Sequence, residues 1–184
     1  MASMLAFQSS AGVPQTAPDQ TEVSPVPLVV CHEGHSYVSG SAFRIGNGLF
    51  LSVNHVTSNH NCQMDGAPLK VLYHSGDFSM LADYRPGRFI PVDCSGFHEG
   101  QRYIAVGHAR GMDDLTIVPL IATGKSVDGY AVLVGIFTVQ PGMSGGAIVD
   151  ADTGKVVGTV NAANWEDGTS FSIALKDTPV CASR

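Results

Sequence analysis

A serine hydroxyl becomes a useful nucleophile only when a turn holds it beside a base and beside donors for a developing oxyanion. The segment Gln140-Pro141-Gly142-Met143-Ser144-Gly145-Gly146-Ala147-Ile148-Val149 has the residue types for such a turn. Gly142 lets the backbone swing until its own N–H and that of Ser144 converge on one spot. Gly145 and Gly146 leave room for a substrate before an apolar strand begins. Taken alone, the same composition would suit an ordinary Gly-rich hairpin.

A base for that serine needs a rigid support and an exposed ring. Phe50-Leu51-Ser52-Val53-Asn54-His55-Val56 supplies both, an apolar strand that ends on a histidine before a polar loop. The other six histidines lie in loops or at strand ends without this pattern. Cys31-His32 with His35, and His60 with Cys62, lack the tight paired spacing of structural zinc sites, so no metal and no other cofactor is expected.

The elements that must position these groups read as strands. A first set comprises Leu28-Val29-Val30, Tyr37 to Ile45, Leu49 to Val53, Leu69 to Tyr73, Phe78 to Ala82 and Arg88 to Val92. Gly46-Asn47-Gly48 marks a tight hairpin among them. A second set comprises Tyr103 to Gly107, Leu115 to Ile121, Tyr130 to Phe137, Gly145 to Val149, Val156 to Asn161 and Ser170 to Leu175, with a turn at Asp152-Thr153-Gly154. No amphipathic helix longer than a turn or two is visible. Short strands at regular spacing imply an all-β chain, and two sets of six imply two barrels joined between Asp93 and Glu99.

The bulk properties fit a folded chain. Of 184 residues, 44% are hydrophobic and 14% charged, which describes a buried core and excludes disorder. A formal charge of −6 argues against nucleic acid or an anionic membrane as the main partner. No apolar run approaches the roughly 20 residues that cross a bilayer, and Met1 to Ser10 lacks the order of a signal peptide. Residues 1–25 are rich in Ser, Gln, Pro and Ala and read as a flexible arm. The four scattered cysteines, Cys31, Cys62, Cys94 and Cys181, form no CxxC pair and read as free, mostly buried thiols of a reducing compartment.

The histidine, an acid and the GxSGG segment, in that order, resemble the chymotrypsin clan of serine endopeptidases over nearly the whole chain after the arm. That resemblance implies two six-stranded antiparallel barrels with the active site between them, the first (26–93) carrying the base and acid and the second (94–184) the nucleophile. It places the nucleophile on Ser144, the base on His55, and the oxyanion donors on Gly142 and Ser144. Two departures stand out: Ser52-Val53-Asn54-His55 replaces the family's Thr-Ala-Ala-His, and Met143 replaces the Asp that pairs with a freshly cleaved N-terminus. The short length resembles the polyprotein-processing proteases of positive-strand RNA viruses, of sobemovirus, arterivirus or hepacivirus type. Gly145 to Asn161, with Gly168 to Ile173, also resembles the bacterial HtrA type. The viral group is favoured because no further domain follows.

The family's triad needs a buried carboxylate that holds the imidazole tautomer. Asp77-Phe78-Ser79-Met80-Leu81 and Asp114-Leu115-Thr116-Ile117-Val118 each read as an acid opening an apolar strand. The last strand of the first barrel, a linker and three further strands need roughly 35–45 residues between acid and serine. Asp114 lies only 30 residues before Ser144, whereas Asp77 lies 22 residues after His55, the length of one hairpin. Asp77 is therefore expected to be the acid.

The resemblance also implies a specificity pocket lined by Thr138 to Pro141 and by Val160, Asn161, Ala162 and Ala163. With Thr138 and Val160 at its base, it should accept an uncharged side chain, with Thr138 or Asn161 offering one hydrogen bond, and not Arg, Lys, Glu or Gln. The partner is a polypeptide, and a viral protein cofactor is a further possibility under the viral reading, which implies the host cytoplasm. An inactive binding module is a rival reading. An α/β-hydrolase is not, because no histidine follows Ser144.

Overall fold

The computed structural model describes residues 23–58 and 61–182. Fourteen antiparallel strands make up its core. The first eight are β1 (Leu28–Glu33), β2 (Ser36–Ser41), β3 (Phe43–Gly46), β4 (Leu49–Val53), β5 (Cys62–Met64), β6 (Ala67–Pro68), β7 (Lys70–Ser75) and β8 (Phe78–Ala82), with a single helical turn α1 (Asn54–Thr57) after β4. The remaining six are β9 (Arg102–Gly107), β10 (Thr116–Val127), β11 (Tyr130–Val134), β12 (Ala147–Asp150), β13 (Val156–Asn164) and β14 (Thr169–Ala174), followed by the helical turn α2 (Pro179–Ala182). No helix among the described residues is long and apolar enough to cross a membrane.

The second set of strands forms a closed barrel in the order β10-β11-β14-β13-β12-β9. Period-two alternation drives the closure: Val118, Leu120 and Ala122 of β10 point inward while Ile117, Pro119 and Ile121 point out. Tyr103, Leu133, Ile148 and Val160 complete that core.

The first set does not close. It forms two four-stranded sheets, β2-β1-β5-β6 and β3-β4-β8-β7, packed on one core of Val29, Cys31, Phe50, Val53, Met64 and Leu81. The expectation of two six-stranded barrels is therefore met by one barrel only. The apolar run Tyr37 to Ile45 breaks at buried Ala42, where the chain leaves one sheet and enters the other. The expected strand Arg88 to Val92 is irregular, with Pro91 lacking an N–H to donate. Instead, Ile90 N–H donates to Arg44 O at 2.9 Å while Val156 N–H donates to Pro91 O at 2.8 Å, so this segment bridges the two halves.

A third core lies between the halves, where Phe43, Leu51 and Phe78 meet Ala147, Val156, Leu175 and Val180. The cysteines depart from expectation: all four are paired, Cys31 with Cys62 and Cys94 with Cys181. Cys31 and Cys62 are directly opposed on β1 and β5. Cys94 and Cys181, 87 residues apart, join the inter-half linker to α2. Of the expected arm, residues 1–22 lie outside the described residues. Val23 and Pro25 are packed, Val23 N–H donating to Pro86 O and Pro25 O accepting Arg44 N–H.

Candidate active site

Strand register brings His55 and Asp77 together. β4 pairs with β8 so that Val53 lies opposite Phe78, which sets Asn54 and His55, just past the end of β4, beside Asp77, just before β8. Asn54 N–H donates to Asp77 O at 2.8 Å. The carboxylate then takes two hydrogen bonds, from His55 N–H to Oδ1 at 2.8 Å and from the ring Nδ1 to Oδ2 at 2.7 Å. An acceptor at Nδ1 keeps the proton there and leaves Nε2 as the free base. Asp114 sits on an exposed loop ahead of β10 and makes no hydrogen bond to His55.

Ser144 lies on the turn between β11 and β12. A trans peptide points its C=O and its N–H in opposite directions, so the partner of each carbonyl sets the direction of the next N–H. Pro141 O accepts Arg110 N–H at 2.5 Å, and Met143 O accepts Gly146 N–H at 2.9 Å. The N–H groups of Gly142 and Ser144 are thereby turned the other way and find no acceptor among the described residues. Two glycines are obligatory here. A β-carbon on Gly142 would sit 2.5 Å from His108 O, and one on Gly145 2.1 Å from Ser41 O, both at positive φ. Met143 is fully buried in the barrel core and anchors the turn from below.

The Ser144 hydroxyl donates to Asn161 O at 3.0 Å and makes no hydrogen bond to His55. Asn161 is the extra residue of a β-bulge, since Val160 pairs with Ser172 and Ala162 with Phe171. The bulge turns the Asn161 carbonyl onto the serine. His55 and Ser144 nonetheless line one cleft of about 310 Å³.

Of the expected pocket residues, Val160, Asn161, Ala162 and Ala163 line this cleft. Thr138 does not. It is half-buried in the approaching loop, where its carbonyl accepts the Gln140 side-chain amide at 3.1 Å. Val139, Gln140 and Pro141 take that side of the cleft, and Trp165 adds an exposed aromatic that sequence reasoning missed. Val160 lines the cleft and is also buried in the barrel core. Ser41 and His108, which support the serine turn, carry no signal in the sequence.

No protein-family model and no curated protein matches the sequence. Solved structures do share the fold. The active form of the Rv3671c protease of M. tuberculosis superimposes with a TM-score of 0.68 at 19% identity, over 99% of this chain and 93% of that one. The HtrA-type protease AlgW bound to a tripeptide gives 0.67 at 20% identity, over 85% of this chain and 58% of that one. A serine endoprotease from Yersinia pestis gives 0.65 at 19% identity, over 84% of this chain and 60% of that one. At such identities the likeness is one of fold.

Proposed function

We propose that this chain is a serine endopeptidase with Ser144 as nucleophile, His55 as general base, Asp77 as the acid that orients it, and the N–H groups of Gly142 and Ser144 as the oxyanion hole. The observation that carries this reading is the Asp77 carboxylate gripping both the backbone N–H and the ring Nδ1 of His55, in one cleft with Ser144. In the reaction, Ser144 Oγ attacks the scissile carbonyl carbon as its proton passes to His55 Nε2. The carbonyl oxygen becomes an oxyanion between the two free N–H groups. Collapse breaks the C–N bond, and His55 returns its proton to the leaving amine. Water then repeats the sequence on the acyl ester and restores Ser144.

The cleft floor and wall, Val160, Ala162 and Ala163, carry no charge, and a basic or acidic substrate side chain would lose its hydration there without a counter-ion. An uncharged side chain of small to medium or aromatic size fits, with Gln140 or Asn161 for one hydrogen bond. The bacterial HtrA-type neighbours support the HtrA-like resemblance. Polyprotein processing with a viral protein cofactor draws no support from these neighbours. Two disulfides favour an oxidising compartment over a reducing one.

Incubation with a fluorophosphonate, followed by peptide mapping, tests the chemistry. The expected result is one adduct, on Ser144, absent from Ser144→Ala and from His55→Ala. A peptide library cleaved by the wild type and not by Ser144→Ala tests the specificity, and preference for Lys, Arg or Glu before the scissile bond would overturn the pocket. Peptidase activity surviving in purified Ser144→Ala would overturn the mechanism.

A further inference from the structure

The serine turn is held from the opposite half of the molecule. Ser41, the last residue of β2, is fully buried. Its N–H donates to Ser144 O at 2.8 Å. Its hydroxyl donates to Gly142 O at 2.9 Å and accepts the His108 N–H at 2.8 Å. Its carbonyl accepts the Ser52 hydroxyl, from near the end of β4, at 2.7 Å. A hydroxyl has one proton to give, so the bond to Gly142 O uses the Ser41 donor outright.

The neighbouring loop is tied in the same way. The buried His108 ring spans Met112 O from Nδ1 at 2.8 Å and Val26 O from Nε2 at 2.9 Å, which joins the loop to the N-terminal half. Within that loop Arg110 and Gly111 hold φ of +57° and +69°, a left-handed pair that is costly for the arginine. That conformation aims Arg110 N–H at Pro141 O. The two peptides that flank Gly142 are therefore held by two clamps: Arg110, on Pro141 O, orients the Gly142 N–H, and Ser41, on Gly142 O, holds the next peptide, whose Met143 N–H donates to Gln140 O. Gly142 itself offers little resistance to a peptide flip, because it lacks a β-carbon.

The geometry points to Ser41 as a positioning residue that holds the oxyanion turn with its donors free, a role that rests on the serine-hydrolase reading above. Ser41→Ala removes the donor to Gly142 O and strands the buried His108 N–H, which leaves the Gly142–Met143 peptide held by the Met143 N–H bond to Gln140 O alone and loosens the turn. The loss falls on the reaction and not on ground-state binding.

Fluorophosphonate labelling of the full chain measures this with no need for a known peptide substrate, because the phosphoryl oxygen occupies the same hole. In Ser41→Ala the limiting rate of labelling should fall about 10- to 100-fold, below the full loss of one hole donor, with the half-saturating probe concentration unchanged. The fraction finally labelled should match the wild type. A rate within twofold of wild type overturns the proposal, and so does a reduced labelled fraction at unchanged rate, the mark of a merely structural role. Should Ser41→Ala fail to fold, Ser41→Cys keeps a side chain of similar shape with a weak donor, and the same fall in rate is expected and the same twofold limit applies. Absence of labelling in the wild type itself overturns the serine-hydrolase reading and this inference with it, whereas normal wild-type labelling with an unaffected Ser41→Ala overturns the clamp alone.

Discussion

Asp77 serves His55 twice, through the backbone and through the ring, and the two roles separate on substitution. Asp77→Asn keeps an acceptor oxygen for one bond, but its amide donates and favours the wrong tautomer of His55. Peptide hydrolysis should drop about 10⁴-fold, with little change in KM. Asp114→Asn, on its exposed loop, should stay near wild type in the same assay. The reverse ranking would show that the carboxylate seen beside His55 is not the working one. Gly145 makes a second residue-scale case. Gly145→Ala would drive a methyl group into Ser41 O at a φ of +85°. Backbone must move there, so we expect loss of fluorophosphonate labelling together with a lower Tm in thermal unfolding.

Among the elements, the exit of β8 links the two N-terminal sheets outside their apolar core. Asp83 N–H donates to Gly48 O at 3.0 Å, extending the β4–β8 ladder by one bond. Its carboxylate accepts Arg85 Nε at 2.8 Å, and Arg85 Nη2 continues to Met64 O on β5 at 2.9 Å. Burial alone would raise the Asp83 carboxyl. The hydrogen bonds and charge of Arg85 outweigh it and hold the group below its ordinary value. A carboxyl depressed by folding contributes stability above its unfolded pKa and loses it as pH falls through the folded one. Urea unfolding should therefore find Asp83→Asn less stable than wild type at neutral pH, with the gap closing in acid below pH about 4. A gap that is constant across that range would mean the pair contributes no net charge interaction.

For the whole molecule, the halves meet at the shared core around Leu51, and the Cys94–Cys181 bridge ties the linker between them to α2, whose Val180 packs in that core. The bridge closes 87 residues, and constraint of so long an unfolded loop is worth about 3–5 kcal/mol. Cys94→Ala/Cys181→Ala should lose stability on that scale in denaturant titrations. Leu51→Ala, which empties part of the joint between the halves, should cost about 2–5 kcal/mol. Because His55 and Asp77 stand on one half and Ser144 on the other, either change should also lower the rate of serine labelling, by loosening the alignment across the cleft.

The sequence alone determined the barrel of the second half, since all six expected strands there appear, and it determined the Ser144 turn and His55 just past the end of β4. These are local matters: a period-two pattern or a Gly-rich turn is written in consecutive residues. Strand counting also favoured Asp77 over Asp114, and the β4–β8 register places Asp77 against His55. Tertiary structure decided the rest. The first half opened into two sheets because a buried alanine turned one apolar run into two strands and Pro91 removed a donor from another. Thr138 stayed out of the cleft because its neighbour Val139 is the one buried against the barrel. The cysteine pairs and the Ser41 clamp join residues 31, 87 and about 100 positions apart. Such pairings follow from which sheet faces which, and that is fixed by the burial of whole faces rather than by any spacing along the chain.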